Sequence, residues 1–304
     1  MKKFNADTFL DALLKNRINF FSGVPDSCLS GLIDKIISNK KSTHVLSPNE
    51  GSAVSVGIGY HLSTSNIPCI YFQNAGLGNA TDPLTNLSSK YVYKIPMLIL
   101  LGWRGRPGIS DEPQHQMQGL AIKKILKEYD INFTDIRKLD FKKLKKVINT
   151  IKKKKISQAI LVDKDFFPKN KIIKRKSNKF FSRSDVFSII FKNISFKSKV
   201  ITSTGFNSRE AINHNSKKIK KIYLVGGMGH TFSVSLGLSL KEKKHKIICI
   251  DGDGSFFMHL GSFGMLSKNI NKNFFYILLD NEQHESVGNV KVDLSLDVKN
   301  FAKS

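Results

Sequence analysis

Two apolar runs, residues 247–250 and 274–279, each stop at a polar turn: Asp251-Gly252-Asp253-Gly254 after the first and Asp280-Asn281 after the second. Between them Phe256, Phe257, Leu260, Phe263 and Leu266 recur as on a buried helical face, so the spacing predicts a helix over 255–266. The stretch reads as strand, glycine turn, helix, strand. The carboxylate of Asp253 and the amide oxygen of Asn281 then meet at the carboxyl edge of a parallel sheet, where doubly wound folds bind ligands. Both are hard oxygen donors, which suit Mg²⁺ or Ca²⁺ better than zinc. The helix opening after Gly254 offers free backbone N–H groups to a phosphate. The plainer reading is a Gly-Asp-Gly turn and an ordinary Asn turn.

The rest of the chain repeats this alternation. Residues 4–16 suggest an amphipathic helix, and 18–21 a strand running into Asp26 and Ser27, either of which can cap a helix that buries Leu29, Leu32, Ile33 and Ile36. A short strand at 44–46 leads to Glu50 at the head of a small-residue helix, where a glutamate favours the helix dipole or faces a pocket. A strand at 68–73 ends in a polar run, residues 74–83, that opens the next helix; residues 95–102 read as a central strand. The segment 103–119 holds Arg104, Arg106, Asp111, Glu112 and His115, which is too rich for a minimal connector. It fits anion binding and proton transfer, or an exposed polar loop. A basic amphipathic helix over 142–155 and a strand at 159–162 close the first half. After a charged, aperiodic stretch, a helix at 183–191, a strand at 200–204 and another at 223–225, ending in GGMGH, rebuild the pattern. The expected organisation is α/β, with two doubly wound parallel-sheet domains at 1–162 and 183–304 joined by a basic linker at 163–182.

Composition excludes some classes. A chain of 304 residues has room for two cores. No apolar run approaches the roughly 20 residues that span a bilayer. Lys2 and Lys3 suggest a signal sequence, but Asp7, Asp11 and Lys15 interrupt its apolar core. Cys28, Cys69 and Cys249 are isolated, without metal-ligand spacing, which points to a reduced, cytoplasmic setting. The net charge of +25 invites a nucleic-acid reading. Only seven of the 49 basic residues are arginine, however, and the lysines lack interleaved aromatics, so a solvated lysine surface is expected.

Asn281 lies 28 positions after Asp253, and Glu50 precedes a small-residue helix in the other half. In this order the two features resemble the thiamine-diphosphate-dependent decarboxylases. FSGVPDS at 21–27, NEGSA at 49–53, GWRG at 102–105, DEPQH at 111–115, STGFNSRE at 203–210, GGMGH at 226–230 and NEQHESVG at 281–288 narrow the resemblance to the phosphonopyruvate decarboxylases. The resemblance implies thiamine diphosphate and Mg²⁺ as cofactors. It also implies decarboxylation of 3-phosphonopyruvate to phosphonoacetaldehyde and CO₂ in phosphonate biosynthesis, and a homodimer or larger homo-oligomer. Sulfopyruvate decarboxylase, an inactive cofactor-binding relative and a nucleic-acid-binding protein are the alternatives.

Carried onto matching positions, the resemblance implies that Glu50 binds the aminopyrimidine ring and that Asp26 and His115 transfer protons. Thr204, Met228, Gly252, Asp253, Gly254, Ser255 and Asn281 would hold the cofactor, with Asp253, Asn281 and Gln283 on the metal. Arg104, Arg106 and His284 are the candidates for the phosphonate. Members of this group continue past the position of Ser304, so the second domain is expected to be truncated at its C-terminus.

Overall fold

The computed structural model describes residues 4–168, 181–214, 219–242, 244–266, 272–285, 290–292 and 296–303. The chain divides into two compact units, Met1–Ile172 and Ile173–Ser304. Most of the expected linker, residues 169–180, lies outside the described residues. Its first residues belong to the first unit: Phe167 is fully buried, its ring 5.4 Å from that of Phe9.

In the first unit, β1 (Phe20–Gly23), β2 (Thr43–Leu46), β3 (Cys69–Gln73), β4 (Leu98–Trp103), β5 (Asn132–Asp135) and β6 (Gln158–Asp163) form one sheet in the order β2-β1-β3-β4-β6-β5. Every pair is parallel. β4 and β6 are buried along their whole length, which is why they read as unbroken apolar runs instead of alternating ones. The helices are α1 (Ala6–Lys15), α2 (Ser30–Ser38), α3 (Glu50–Thr64), α4 (Leu77–Asp82), α5 (Gln116–Glu128) and α6 (Phe141–Lys154). α1 starts at a capping box between Asn5 and Thr8 and buries Phe9, Leu10 and Leu13. α6 buries Leu144, Ile148 and Ile151 and leaves Lys142, Lys145, Lys146 and Lys153 exposed. Strand order reverses between β1 and β3, so the chain leaves a crevice there at the carboxyl ends.

The second unit contains β7 (Ser198–Thr202), β8 (Lys220–Tyr223), β9 (Lys246–Gly252) and β10 (Phe274–Leu279), all parallel in the order β10-β9-β7-β8. An antiparallel pair, β11 (Gln283–His284) and β12 (Val290–Lys291), follows. Its helices are α7 (Arg183–Asn193), α8 (Phe206–Asn213), α9 (Thr231–Lys241), α10 (Asp253–Met258) and α11 (Val298–Phe301). Phe187, Val200, Ala211, Ile248 and Ile250 form one core cluster. Here the order reverses between β7 and β9, which places Asp253 beside the second crevice.

Three local expectations change. The helix over 255–266 is broken: α10 ends at Met258, and a tighter 3₁₀ stretch, Leu260–Met265, follows a kink at His259. Gly261 and Gly264 weaken the α-helix there, and of the expected apolar face only Phe256 is fully buried. Neither Asp26 nor Ser27 caps α2, which starts three residues later with Leu29 at its N-cap. The segment 103–119 is not all loop, since α5 already begins at Gln116.

Candidate active site

At the first crevice, the buried Asp26 carboxylate accepts hydrogen bonds from the Cys28 backbone N–H (2.9 Å) and from Nε2 of Gln73 (2.9 Å) at the end of β3. Burial raises its pKa above the ordinary carboxyl value, opposed by these bonds and by the Arg104 charge. Glu50 is the first residue of α3, capped by Asn49, whose Oδ1 accepts from the Ser52 N–H at 2.9 Å. The Glu50 side chain is 5% exposed, and its Oε2 accepts from Nδ2 of Asn79 at 2.8 Å. Burial raises its pKa as well. The carboxylate lies directly on Gly76, where a Cβ would stand 2.1 Å from Oε1. Only glycine admits Glu50 in this position. Gly76→Ala is therefore expected to leave the fold intact and displace the carboxylate, lowering turnover by roughly 10²-fold, the scale of an ångström-size misplacement. Steady-state rates beside circular dichroism of the variant check this, and an unchanged rate would contradict it.

The segment after β4 is tied down at several points. Asn74 binds the Arg104 backbone twice, its Nδ2 donating to the carbonyl (3.0 Å) and its Oδ1 accepting from the N–H (3.1 Å). Arg104 Nε donates to both oxygens of Asp111, at 3.1 and 2.8 Å, and its Nη1 donates to the Ser27 hydroxyl at 3.2 Å. Asp111 also accepts from the Gly105 N–H at 2.8 Å. Arg104 holds the Asp111 carboxyl well below its usual range, although burial pushes the other way. His115 Nε2 is 3.5 Å from Glu112 Oε2. Burial lowers the His115 pKa and the Arg104 charge adds to that, while Asp111, Glu112 and Asp26 oppose it. Asp26, Arg104 and His115 thus act on one another electrostatically. Arg106, expected at the phosphonate, is instead ion-paired with Asp163 and Asp135 (3.1 Å to the latter) and lies over the Trp103 ring.

In the second unit the Gln283 backbone N–H donates to Asp253 Oδ2 and to Asn281 Oδ1, each at 3.1 Å. The two expected metal oxygens therefore accept from the same N–H. Burial, with the nearby Asp280 charge, pushes the Asp253 carboxyl up to about 6. A carboxylate and an amide oxygen are hard donors, which suit Mg²⁺. Gly254 is overhung by Met228 and His284, where a Cβ would lie 3.0 Å from the Met228 methyl and 2.6 Å from His284 Cε1. Burial pushes His284 down to about 4, which disfavours its imidazolium form. Thr204 Oγ1 accepts from the Gly226 N–H (3.2 Å) and Ser255 Oγ from the Gly229 N–H (3.0 Å). These bonds tie the GGMGH turn to the ends of β7 and β9. Asp26 thus follows β1 at the strand-order reversal of the first unit and Asp253 follows β9 at that of the second, whereas Arg106 lies toward β5 and β6.

Of the polar residues that hold this geometry, Gln73, Asn74 and Asn79 carry no role in the sequence reading, whereas Asp111 enters only as part of the charged 103–119 segment. The local mark of Gln73 is the end of a strand, and that of Asn74 and Asn79 a place in the polar run after it.

Comparison with known proteins agrees with this layout. The family description "Thiamine pyrophosphate enzyme, N-terminal TPP binding domain" matches residues 5–125, and "Thiamine pyrophosphate enzyme, C-terminal TPP binding domain" matches residues 204–299. The chain belongs to the thiamine pyrophosphate enzymes. Within them it is a carboxy-lyase of the type formed by the phosphonopyruvate and sulfopyruvate decarboxylases. The phosphonopyruvate decarboxylase of Streptomyces hygroscopicus is 27% identical over 303 residues, covering 93% of this chain and 74% of that protein. That of Streptomyces viridochromogenes is 29% identical, covering 88% and 71%. The sulfopyruvate decarboxylase subunit alpha of Methanothermobacter thermautotrophicus is 31% identical over 116 residues, covering 38% of this chain and 68% of that subunit. No described helix is long and apolar enough to cross a membrane.

Proposed function

We propose that the chain decarboxylates 3-phosphonopyruvate to phosphonoacetaldehyde and CO₂ with thiamine diphosphate and Mg²⁺. The observation that carries this reading is Arg104, a guanidinium whose side chain is 11% exposed and which acts electrostatically on both Asp26 and His115. A 2-keto acid with a second anionic group needs such a cation near the proton-transfer groups. A sulfonate meets the same requirement, which keeps sulfopyruvate as the second reading.

Thiamine diphosphate, when bound, supplies the electron sink for the pair left by departing CO₂. Glu50 would hold the aminopyrimidine by a charge-assisted hydrogen bond, strengthened by its burial. Asp253, Asn281 and the Gln283 carbonyl would hold Mg²⁺, and Thr204, Gly252, Gly254 and Ser255 would cradle the diphosphate. Met228 would brace the cofactor beside Gly254. Asp26 and His115 carry opposite shifts: burial favours a protonated carboxyl on one and a neutral imidazole on the other. They are suited to give and take the protons of one cycle. The pyrimidine and diphosphate ends of the cofactor would be held by different copies of the chain, so the active form would be at least a homodimer.

Parallel assays of kcat/KM with phosphonopyruvate, sulfopyruvate and pyruvate test the substrate. The expectation is a preference for phosphonopyruvate over pyruvate of at least about 10²-fold, the order of the worth of a charge-assisted contact. Equal use of pyruvate would overturn the assignment.

A further inference from the structure

The two carboxylates on Arg104 are held very differently. Asp111 is 5% exposed and is fixed by the Gly105 N–H (2.8 Å) and the Glu112 N–H (2.9 Å) as well as by Arg104 Nε. Glu112 also contacts Arg104 Nη2, but its side chain is 48% exposed; its other partner is His115 Nε2 at 3.5 Å. A buried, multiply bonded carboxylate is a permanent partner of a guanidinium. An exposed ion pair contributes little and exchanges readily.

The charges around this guanidinium make such an exchange necessary. Two carboxylates, Asp111 and Glu112, are paired with one cation, Arg104, so an incoming dianion meets net negative charge unless a carboxylate withdraws. Glu112 can withdraw, because half of it already faces solvent. Its departure would free one N–H of Arg104 Nη2, the other staying on Asp111 Oδ1, together with His115 Nε2, while Asp111 and Ser27 keep the guanidinium aimed.

The geometry points to Glu112 as the specificity-determining residue of the site: its carboxylate occupies the seat on Arg104 Nη2 that the phosphonate or sulfonate group of the substrate takes. This rests on the proposed function for the identity of the substrate, but not for the exchange itself. A substrate without a second anionic group does not displace Glu112 and leaves Arg104 neutralised. Glu112 therefore favours dianionic 2-keto acids through the exchange it imposes.

The test is calorimetric titration of methylphosphonate into the purified full chain, without added Mg²⁺, for the wild type, Glu112→Gln, Arg104→Met and the double variant. Glu112→Gln is expected to tighten methylphosphonate binding by at least about fivefold. In the Arg104→Met background the same change is expected to alter binding by less than twofold. An unchanged or weaker Kd in Glu112→Gln overturns the inference. So does a gain that survives Arg104→Met, because removal of a carboxylate would then act on the anion without Arg104. If the cycle behaves as expected while neither phosphonopyruvate nor sulfopyruvate is decarboxylated, the seat stands and the substrate reading falls.

Discussion

Glu50→Gln is expected to lower decarboxylation by at least about 10²-fold while the protein melts at the same or a higher temperature. The two effects have one cause. Burial raises the Glu50 pKa, so the ionised form is disfavoured in the fold, and that strained charge is what a cofactor nitrogen would pair with. Glutamine keeps the shape, and its amide oxygen can still accept from Asn79, but it neither carries the charge nor takes a proton. The sign of the pH effect follows. For a carboxyl whose folded pKa is raised, stability is fully present below the unfolded value and is lost as pH rises through the folded one. The cofactor-free wild type should lose stability as pH climbs out of the ordinary carboxyl range, and Glu50→Gln should remove part of that slope. Asp26, Asp251 and Asp253, shifted the same way, add to that slope. Thermal melts at several pH values together with CO₂ release check both effects; unchanged turnover would contradict the assignment.

Asp253→Ala is the second large effect. Its carboxylate and the Asn281 amide oxygen both accept from the Gln283 N–H, at 3.1 Å each. Loss of a direct ligand should exceed the 10- to 100-fold typical of residues that only support one. Titration of thiamine diphosphate with and without Mg²⁺ should show wild-type binding that depends on the metal and, in Asp253→Ala, no such dependence. Because the substitution also removes a buried charge pushed up to about 6, the apo fold should not suffer in proportion. Metal-dependent binding within a fewfold of wild type in Asp253→Ala would contradict the role.

The large features were legible because they leave local patterns. The run at 274–279 matches β10 end to end, since aromatic and aliphatic residues are bounded by Asn273 and Asp280. Glu50 was placed at the head of a helix because strand, polar turn and small-residue run follow within a few positions. The polar clamps were not legible. Gln73 reaches Asp26 across 47 positions, Asn79 reaches Glu50 across 29, and Asn74 reaches Arg104 across 30. Such contacts exist only once the sheet has set the strand order. α5 was hidden because Gly119 and two glutamines dilute its apolar face; the carbonyl of that glycine accepts from the Trp103 indole at 3.0 Å. The ion pairs of Arg106 were hidden for a similar reason. Its partners Asp135 and Asp163 stand at the ends of β5 and β6, far along the chain from Arg106 and brought to it only by the sheet order.

The central claim is that the two sets of residues serve one cofactor-dependent decarboxylation. The most direct measurement is CO₂ release from phosphonopyruvate by the purified chain, with thiamine diphosphate and Mg²⁺ both present, each omitted in turn, and Mg²⁺ replaced by a chelator. The account predicts release only when both are present, lost in Glu50→Gln and in Asp253→Ala alike. Release that persists without thiamine diphosphate would contradict it.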